Sequence, residues 1–358
     1  MTKAEAIEAA ALNLNYEQCG IIPLAEIDDY TERLNERIKR FPETRQQSER
    51  LYTFTQLNRT FPWAKSIVIG VRRYGKYRIP PHLKGLIGAY YCVDGRRDER
   101  SPDYQASYAF EAYLNQQGLR TFTERNFGLT ALRWAALKAG LGTIRQNNFF
   151  YTHKSGSWVY LEAWLIDSEL ELKHQDTQKP CPEDCHRCIR RCPTQSLSEP
   201  YSMNRSTCVS YLTTFGPADL CKEPHYQEMG QWLFGCDACQ DGCPFNRGKW
   251  SEDETFPGLD ALAAGISLEK ILDMDYDVLR KVMAPKFWYI SEDRVYKWKI
   301  NALNAMGNTF NEGYLPAIRK AAADPHEAVR AMAEWVAARF ALPALPGSEG
   351  KGQDPVYG

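Results

Sequence analysis

The chain has 358 residues, 44% of them hydrophobic, with 44 Lys and Arg against 45 Asp and Glu for a formal charge of −1. That length accommodates two or three domains, and the composition is that of a globular protein rather than a disordered or fibrous one. No apolar run approaches the ~18 residues of a membrane-spanning helix, and the near-zero charge excludes an overall electrostatic pull toward nucleic acid while leaving room for a local basic patch.

Residues 1–175 read as one mixed α/β domain. An amphipathic helical pattern covers Lys3 to Asn15, and a second, rich in charge, covers Ile27 to Phe41. Ser66 to Val71 is apolar and β-branched, as a buried strand is. Tyr108 to Gln117 predicts a helix ending at Gly118, and Leu129 to Ala139 a helix stopped by Gly140. Trp158 to Ile166 predicts a strand. Residues 176–255 are a cysteine-rich module entered through Gln178-Lys179-Pro180. From 256 to 345 the texture is helical, with apolar residues at helical spacing over Asn301 to Asn308 and Ala328 to Phe340. Asp324-Pro325 predicts the start of the second of these helices, as a capping Asp followed by Pro at the first helical position. The pair reads as a single hairpin of a HEAT-like helical repeat, which must pack on the rest of the protein because one hairpin is too little for a solenoid. Residues 346–358, rich in Gly and Pro, are expected to be disordered. The fold class is therefore α+β. Nothing in the N-terminus resembles a secretory pattern and reduced thiols point to the cytoplasm; a membrane-free monomer is expected.

Eight of the eleven cysteines form one pattern. Cys181, Cys185, Cys188 and Cys192 end in Pro193; Cys236, Cys239 and Cys243 end in Pro244; Cys208 lies between. Paired cubane clusters take eight thiolates, three closely spaced plus a remote Cys-Pro that crosses to the other cluster. The spacing assigns Cys181, Cys185, Cys188 and Cys243 to one [4Fe–4S] cluster and Cys208, Cys236, Cys239 and Cys192 to the other. Zinc would use Cys-x-x-Cys pairs without the trailing Cys-Pro. Disulfides would suit a secreted chain. One spacing departs from the usual run, with three residues rather than two between Cys181 and Cys185. Cys19, Cys92 and Cys221 are left over and read as buried or incidental thiols.

The surroundings of these cysteines resemble the epoxyqueuosine reductase family. The resemblance is carried by Gly235-Cys236-Asp237-Ala238-Cys239-Gln240 with Cys243-Pro244-Phe245-Asn246, and by Cys208-Val209-Ser210-Tyr211-Leu212-Thr213. Upstream it includes Ala139-Gly140-Leu141-Gly142, Asn147 and Gly156-Ser157-Trp158; downstream, Asn301 to Asn308 and Arg330 to Trp335. It implies a base-off cobalamin held between the N-terminal domain and the cluster module, a tRNA substrate, and an electron donor such as flavodoxin or ferredoxin. Ser210 and Asp237 match corrinoid-lining positions, Phe150 and Leu161 match N-terminal positions facing the corrinoid, and Asp103-Tyr104 resembles an Asp-Tyr-His segment with Gln105 in place of His. No histidine shows a ligand pairing. His326, in Asp324-Pro325-His326, reads as a helix-start surface residue.

Two departures bear on function. The family's acidic proton donor falls here on Asn126, and an amide cannot give up and recover a proton as a carboxylic acid does. Glu124 and Tyr104 are the substitutes, against blander readings as a solvated charge and a packed aromatic. The stretch matching the family's tRNA-binding surface carries Arg294, Lys297 and Lys299 beside Glu292 and Asp293, a thin phosphate footprint. Three functions compete: a cobalamin- and cluster-dependent epoxyqueuosine reductase, a related reductase with another substrate, and a non-catalytic electron-transfer or corrinoid-handling partner.

Overall fold

The computed structural model describes residues 1–223 and 225–340, so the 346–358 tail lies outside the described residues. The strands are β1 (Gln18–Pro23), β2 (Ser66–Arg73), β3 (Thr121–Phe122), β4 (Thr143–Ile144), β5 (Phe150–Tyr151) and β6 (Val159–Ile166). The helices used below are α1 (Lys3–Asn13), α2 (Pro102–Gln116), α3 (Leu132–Lys138), α4 (Arg187–Arg191), α5 (Val209–Thr214), α6 (Ala238–Asp241), α7 (Tyr296–Asn308) and α8 (Glu327–Arg339). The chain folds as two compact units, each built from separated segments. The first takes residues 1–79, 93–206 and 237–259; the second takes 80–92, 207–236 and 260 onward.

The first unit is built on an antiparallel sheet of order β1-β2-β6-β3. The buried run of β2 needs cover on both faces, and period-2 alternation distributes it. Ile67, Ile69 and Val71 join a core with Ala135, Ala136 and Leu141 on the α3 side. Val68 joins Ile7, Phe110 and Trp164 under α1 and α2. The expected strands at 66–71 and 158–166 are present, β2 running two residues longer and β6 starting one residue later. β1 has no counterpart in the sequence reading, because Cys19-Gly20 interrupts its branched run. α2 begins at Pro102 rather than Tyr108. Ser101 caps it, its hydroxyl accepting from the Asp103 amide at 3.2 Å, and the cap signal precedes the apolar periodicity. The stop at Gly140 holds: its φ is +71°, and a Cβ there would fall 1.8 Å from the His174 carbonyl.

Beneath α2 the sheet buries a charge network. Arg72 is 1% exposed, lies 3.7 Å from Asp103 and 3.6 Å from Glu162, and stacks over the Tyr16 ring at 3.7 Å. The Tyr16 hydroxyl donates to Glu162 at 2.6 Å and the Tyr77 hydroxyl to Asp103 at 3.2 Å. Burial holds the Asp103 carboxyl above the usual carboxylate range, with Arg72 pulling the other way.

In the second unit α7 is buried along almost its whole length and packs on α8. Its Lys297, Asn301, Asn304 and Asn308 recur at helical spacing and bind backbone of the 207–236 segment. Lys297 Nζ donates to the carbonyls of Leu212 at 3.2 Å, Gly216 at 2.8 Å and Pro217 at 2.9 Å. The Asn301 amide donates to Thr213 and Leu233 carbonyls at 2.8 and 2.9 Å, and Asn308 to Tyr226 at 2.9 Å. An irregular segment leaves carbonyls without ladder partners, and these side chains satisfy them.

This corrects the reading of 289–299 as a phosphate footprint. Lys297 is fully buried, Lys299 pairs with Asp324 at 2.9 Å inside the unit, and Arg294 donates to Gly216. Trp298 stacks on Phe234 at 4.9 Å, and Tyr296 stacks on His326 at 3.9 Å. The start of α8 is also corrected. It begins at Glu327 with His326 at the cap position, because the Asp324 carboxylate is taken by Lys299, Tyr276 and the His326 amide.

Candidate functional site

Cys181, Cys185, Cys188 and Cys243 line one small cavity in the first unit, together with Arg145, Asn147 and Arg187. Three of these thiols flank α4 or its approach, and the fourth arrives from beyond α6. The approach of Cys243 is fixed by buried amides. The Asn147 amide donates to the Tyr151 hydroxyl at 2.8 Å and the Cys239 carbonyl at 3.2 Å. Asn246 donates to Ser157 Oγ at 2.8 Å and the Gln240 carbonyl at 2.9 Å, and its Oδ1 accepts from the Ser157 amide at 2.8 Å. Gly156, with φ +60°, is required at this joint, since a Cβ would lie 2.2 Å from that Oδ1. The upstream Gly156-Ser157-Trp158 turn and the downstream Cys-Pro segment are thus parts of one packing.

The electrostatics of the thiol cavity pull both ways: a guanidinium favours thiolates and burial disfavours them. Arg145 is buried, donates to the Lys179 carbonyl at 3.1 Å, stacks over Phe245 at 3.3 Å, and lies 3.9 Å from Cys181 Sγ. Burial, then the nearby Cys243, push the Cys188 thiol up to about 11. Soft thiol donors in a set of four fit an iron–sulfur cubane. Of the other four cysteines, Cys192 and Cys239 belong to the first unit and Cys208 and Cys236 to the second. Cys19 is fully buried in the core.

The proton-donor candidates also come together. Tyr104, Glu124 and Asn126 line a cavity of about 390 Å³ with Arg96, Arg97 and Tyr108. Asn126 is held on both sides. Arg97 Nε donates to its side-chain Oδ1 at 2.9 Å, Arg96 donates to its backbone carbonyl, and its backbone N–H donates to Glu124 Oε1 at 2.7 Å. Arg96 is itself fixed by Asp94 at 2.7 Å. Tyr104 lies against Tyr108, ring centroids 4.3 Å apart. The Tyr108 hydroxyl bond, followed by burial, pushes the Tyr104 hydroxyl up to about 12, so it keeps its proton at neutral pH. Sequence reasoning missed Arg96 and Arg97; the Asp94-Gly95-Arg96-Arg97 turn was the available signal.

Of the corrinoid-facing candidates, three belong to the first unit and one to the second. Phe150 is a core residue of the first unit, 3% exposed, and half-buried Leu161 sits on β6 opposite Val71. Asp237 is buried at the start of α6, where its backbone carbonyl accepts from the Gln240 and Asp241 amides at 2.8 Å. Ser210 belongs to the second unit, its hydroxyl 2.8 Å from that of Tyr91.

Residues 181–246 match the 4Fe-4S double cluster binding domain family. An epoxyqueuosine reductase of Cellulophaga algicola is 27% identical over 258 residues, 68% of this chain and 79% of that one. Another, of Prochlorococcus marinus, is 35% identical over 114 residues, about a third of either chain. The crystal structure of an epoxyqueuosine reductase with a tRNA-Tyr epoxyqueuosine-modified stem loop has the same fold, with TM-score 0.75 and 21% identity over 94% of this chain and 89% of that one. Among the described residues no helix is long and apolar enough to cross a membrane.

Proposed function

We propose that this chain, a member of the epoxyqueuosine reductase family, reduces epoxyqueuosine to queuosine in tRNA using two [4Fe–4S] clusters and a cobalamin. The observation that carries the reading is the meeting of Cys243 with Cys181, Cys185 and Cys188 on one cavity, the crossed arrangement expected of a double-cluster protein. Those four residues would hold one cluster, and cysteine spacing alone assigns Cys192, Cys208, Cys236 and Cys239 to the other. When bound, the clusters carry single electrons and the corrinoid supplies a low-valent cobalt.

The net change consumes two electrons and two protons and releases the epoxide oxygen as water, so a proton must reach that oxygen. Asn126 cannot supply it. We assign the role to Glu124, which shares the cavity and is oriented by its bond to the Asn126 amide. Arg97 orients the Asn126 amide so that it can hydrogen-bond the substrate. The Tyr104 hydroxyl, held protonated, serves as a donor to the substrate's polar groups rather than as the acid. Arg96, paired with Asp94, and Arg97, bonded to Asn126, line the cavity beside Glu99 and Glu124 and offer guanidinium donors to a nucleotide substrate.

The test is anaerobic reconstitution, addition of reductant and an epoxyqueuosine-containing stem loop, and mass spectrometry of the product nucleoside. Queuosine is expected from the native chain, and Glu124→Gln should cut the rate by about 100-fold or more with cluster content unchanged. A native chain that makes no queuosine while Asn126→Asp does would favour the second reading, a sister reductase whose substrate needs no acid at position 126.

A further inference from the structure

We propose that the face of the first unit around Cys243 is the docking site of an acidic one-electron carrier protein; the inference rests on the reading of the four thiols as a cluster site. A cavity of about 340 Å³ opens beside the thiol cavity, and Cys243, Pro244 and Arg187 line both. The new cavity is rimmed by Arg187, Arg191 and Arg247, with the indoles of Trp158 and Trp250 packed edge to face at 5.0 Å.

The sequence explains why the arginines gather there. Arg187 and Arg191 are one turn apart on α4, the short helix that spaces the cluster ligands, so they share a face. Arg247 follows the Cys243-Pro244 turn by three residues and is brought back beside them. All three are exposed, and among the described residues no carboxylate forms an ion pair with any of them. Some exposed arginines elsewhere are paired locally, as Arg33 is with Glu36, Arg45 with Glu49 and Arg280 with Asp277. Asp241 also lines the cavity without removing its cationic excess.

A chain of net charge −1 that gathers three arginines against one carboxylate, Asp241, beside a proposed cluster ligand is arranged for a partner that must come close to that ligand. Complementary charge speeds and orients such an encounter. Nucleic acid fits less well, because three cations around one compact cavity make few phosphate contacts. In the transfer the reduced carrier loses one electron and the cluster gains it, with no bond or proton moved. Two encounters supply the pair that the reduction consumes.

The experiment follows reduction of the anaerobically reconstituted protein by stopped-flow absorbance, with reduced flavodoxin as the acidic carrier and dithionite as a small reductant. The variants are Arg191→Glu/Arg247→Glu and the charge-conserving Arg191→Lys/Arg247→Lys. The native rate with flavodoxin should fall as salt rises. Charge reversal should lower it by about 10-fold or more at low salt and abolish its salt dependence, while the lysine variant keeps most of the rate. Dithionite should reduce all three proteins alike and give the same EPR signal. Native protein that shows no iron–sulfur signal with dithionite would remove the cluster reading itself. A normal dithionite signal with a flavodoxin rate untouched by charge reversal would overturn the docking site alone. Loss of affinity for an RNA stem loop at an unchanged flavodoxin rate would also overturn it, and would give the patch to nucleic acid.

Discussion

The two units solve one problem, holding cysteine-bearing loops that have little regular structure, by different means. In the first, Cys243 is positioned by buried amides from scattered turns, Asn147, Asn246 and Ser157, and the thiols face a shared cavity. In the second, the segment after Cys208 is clamped by a polar stripe on one helix, with Lys297 and Asn301 alone taking five carbonyls. The first arrangement leaves its four thiols facing a cavity that the proposed cluster would fill. In the second, the backbone of the segment after Cys208 is satisfied by the protein's own side chains. Metal content should therefore govern the order of the first loop far more than that of the clamped segment.

The largest effect tests that contrast directly. Cys243→Ala should halve the iron and sulfide from about eight of each per chain to about four, and should raise hydrogen exchange over 181–192 while leaving 296–308 protected. Equal loss of protection in both segments would show that the clamp also depends on the cluster. Next in size is a change in the buried charge network of the sheet. Arg72→Met leaves Asp103 and Glu162 buried without their cation, and should cost about 3–5 kcal/mol in denaturant unfolding. If that loss is accompanied by normal iron content, the charge network supports the sheet and not the thiols.

How far the sequence spoke for itself differs between the units in the same way. The cysteine spacing named the four thiols that meet in the first unit, because ligand chemistry imposes a pattern that needs no knowledge of the fold. Gly140 was legible for a similar reason, since a left-handed helix stop favours one residue type. Glu124, Tyr104 and Asn126 could be brought together only through a resemblance; the arginines that wall their cavity were invisible to it. In the second unit Arg294, Lys297 and Lys299 looked like a surface patch. Nothing local distinguishes a lysine that caps buried carbonyls from one that meets solvent; the distinction comes from the carbonyls of residues 212–217, some eighty positions away. The same non-locality moved the start of α8, because Asp324 is claimed by Lys299 before it can cap.

Lys297 supplies the smallest and most discriminating prediction. Burial, then the nearby Arg294, press its pKa down from 10.5 to about 7, while three carbonyls favour the ammonium. With the folded value below the unfolded one, the unfolded chain binds more protons between pH 7 and 10.5. Stability from this residue is then present at high pH and is lost as pH falls toward 7. Lys297→Met removes the titration but leaves the carbonyls unpaired, at a cost of about 1–3 kcal/mol. The difference in melting temperature between native and variant protein should therefore widen from pH 7 to pH 9. A difference that stays constant over that range would mean that the carbonyls win and the ammonium persists. The clamp on the Cys208 segment would then be a permanent charge capping the C-terminal end of α5 rather than a group that loses its proton within the neutral range.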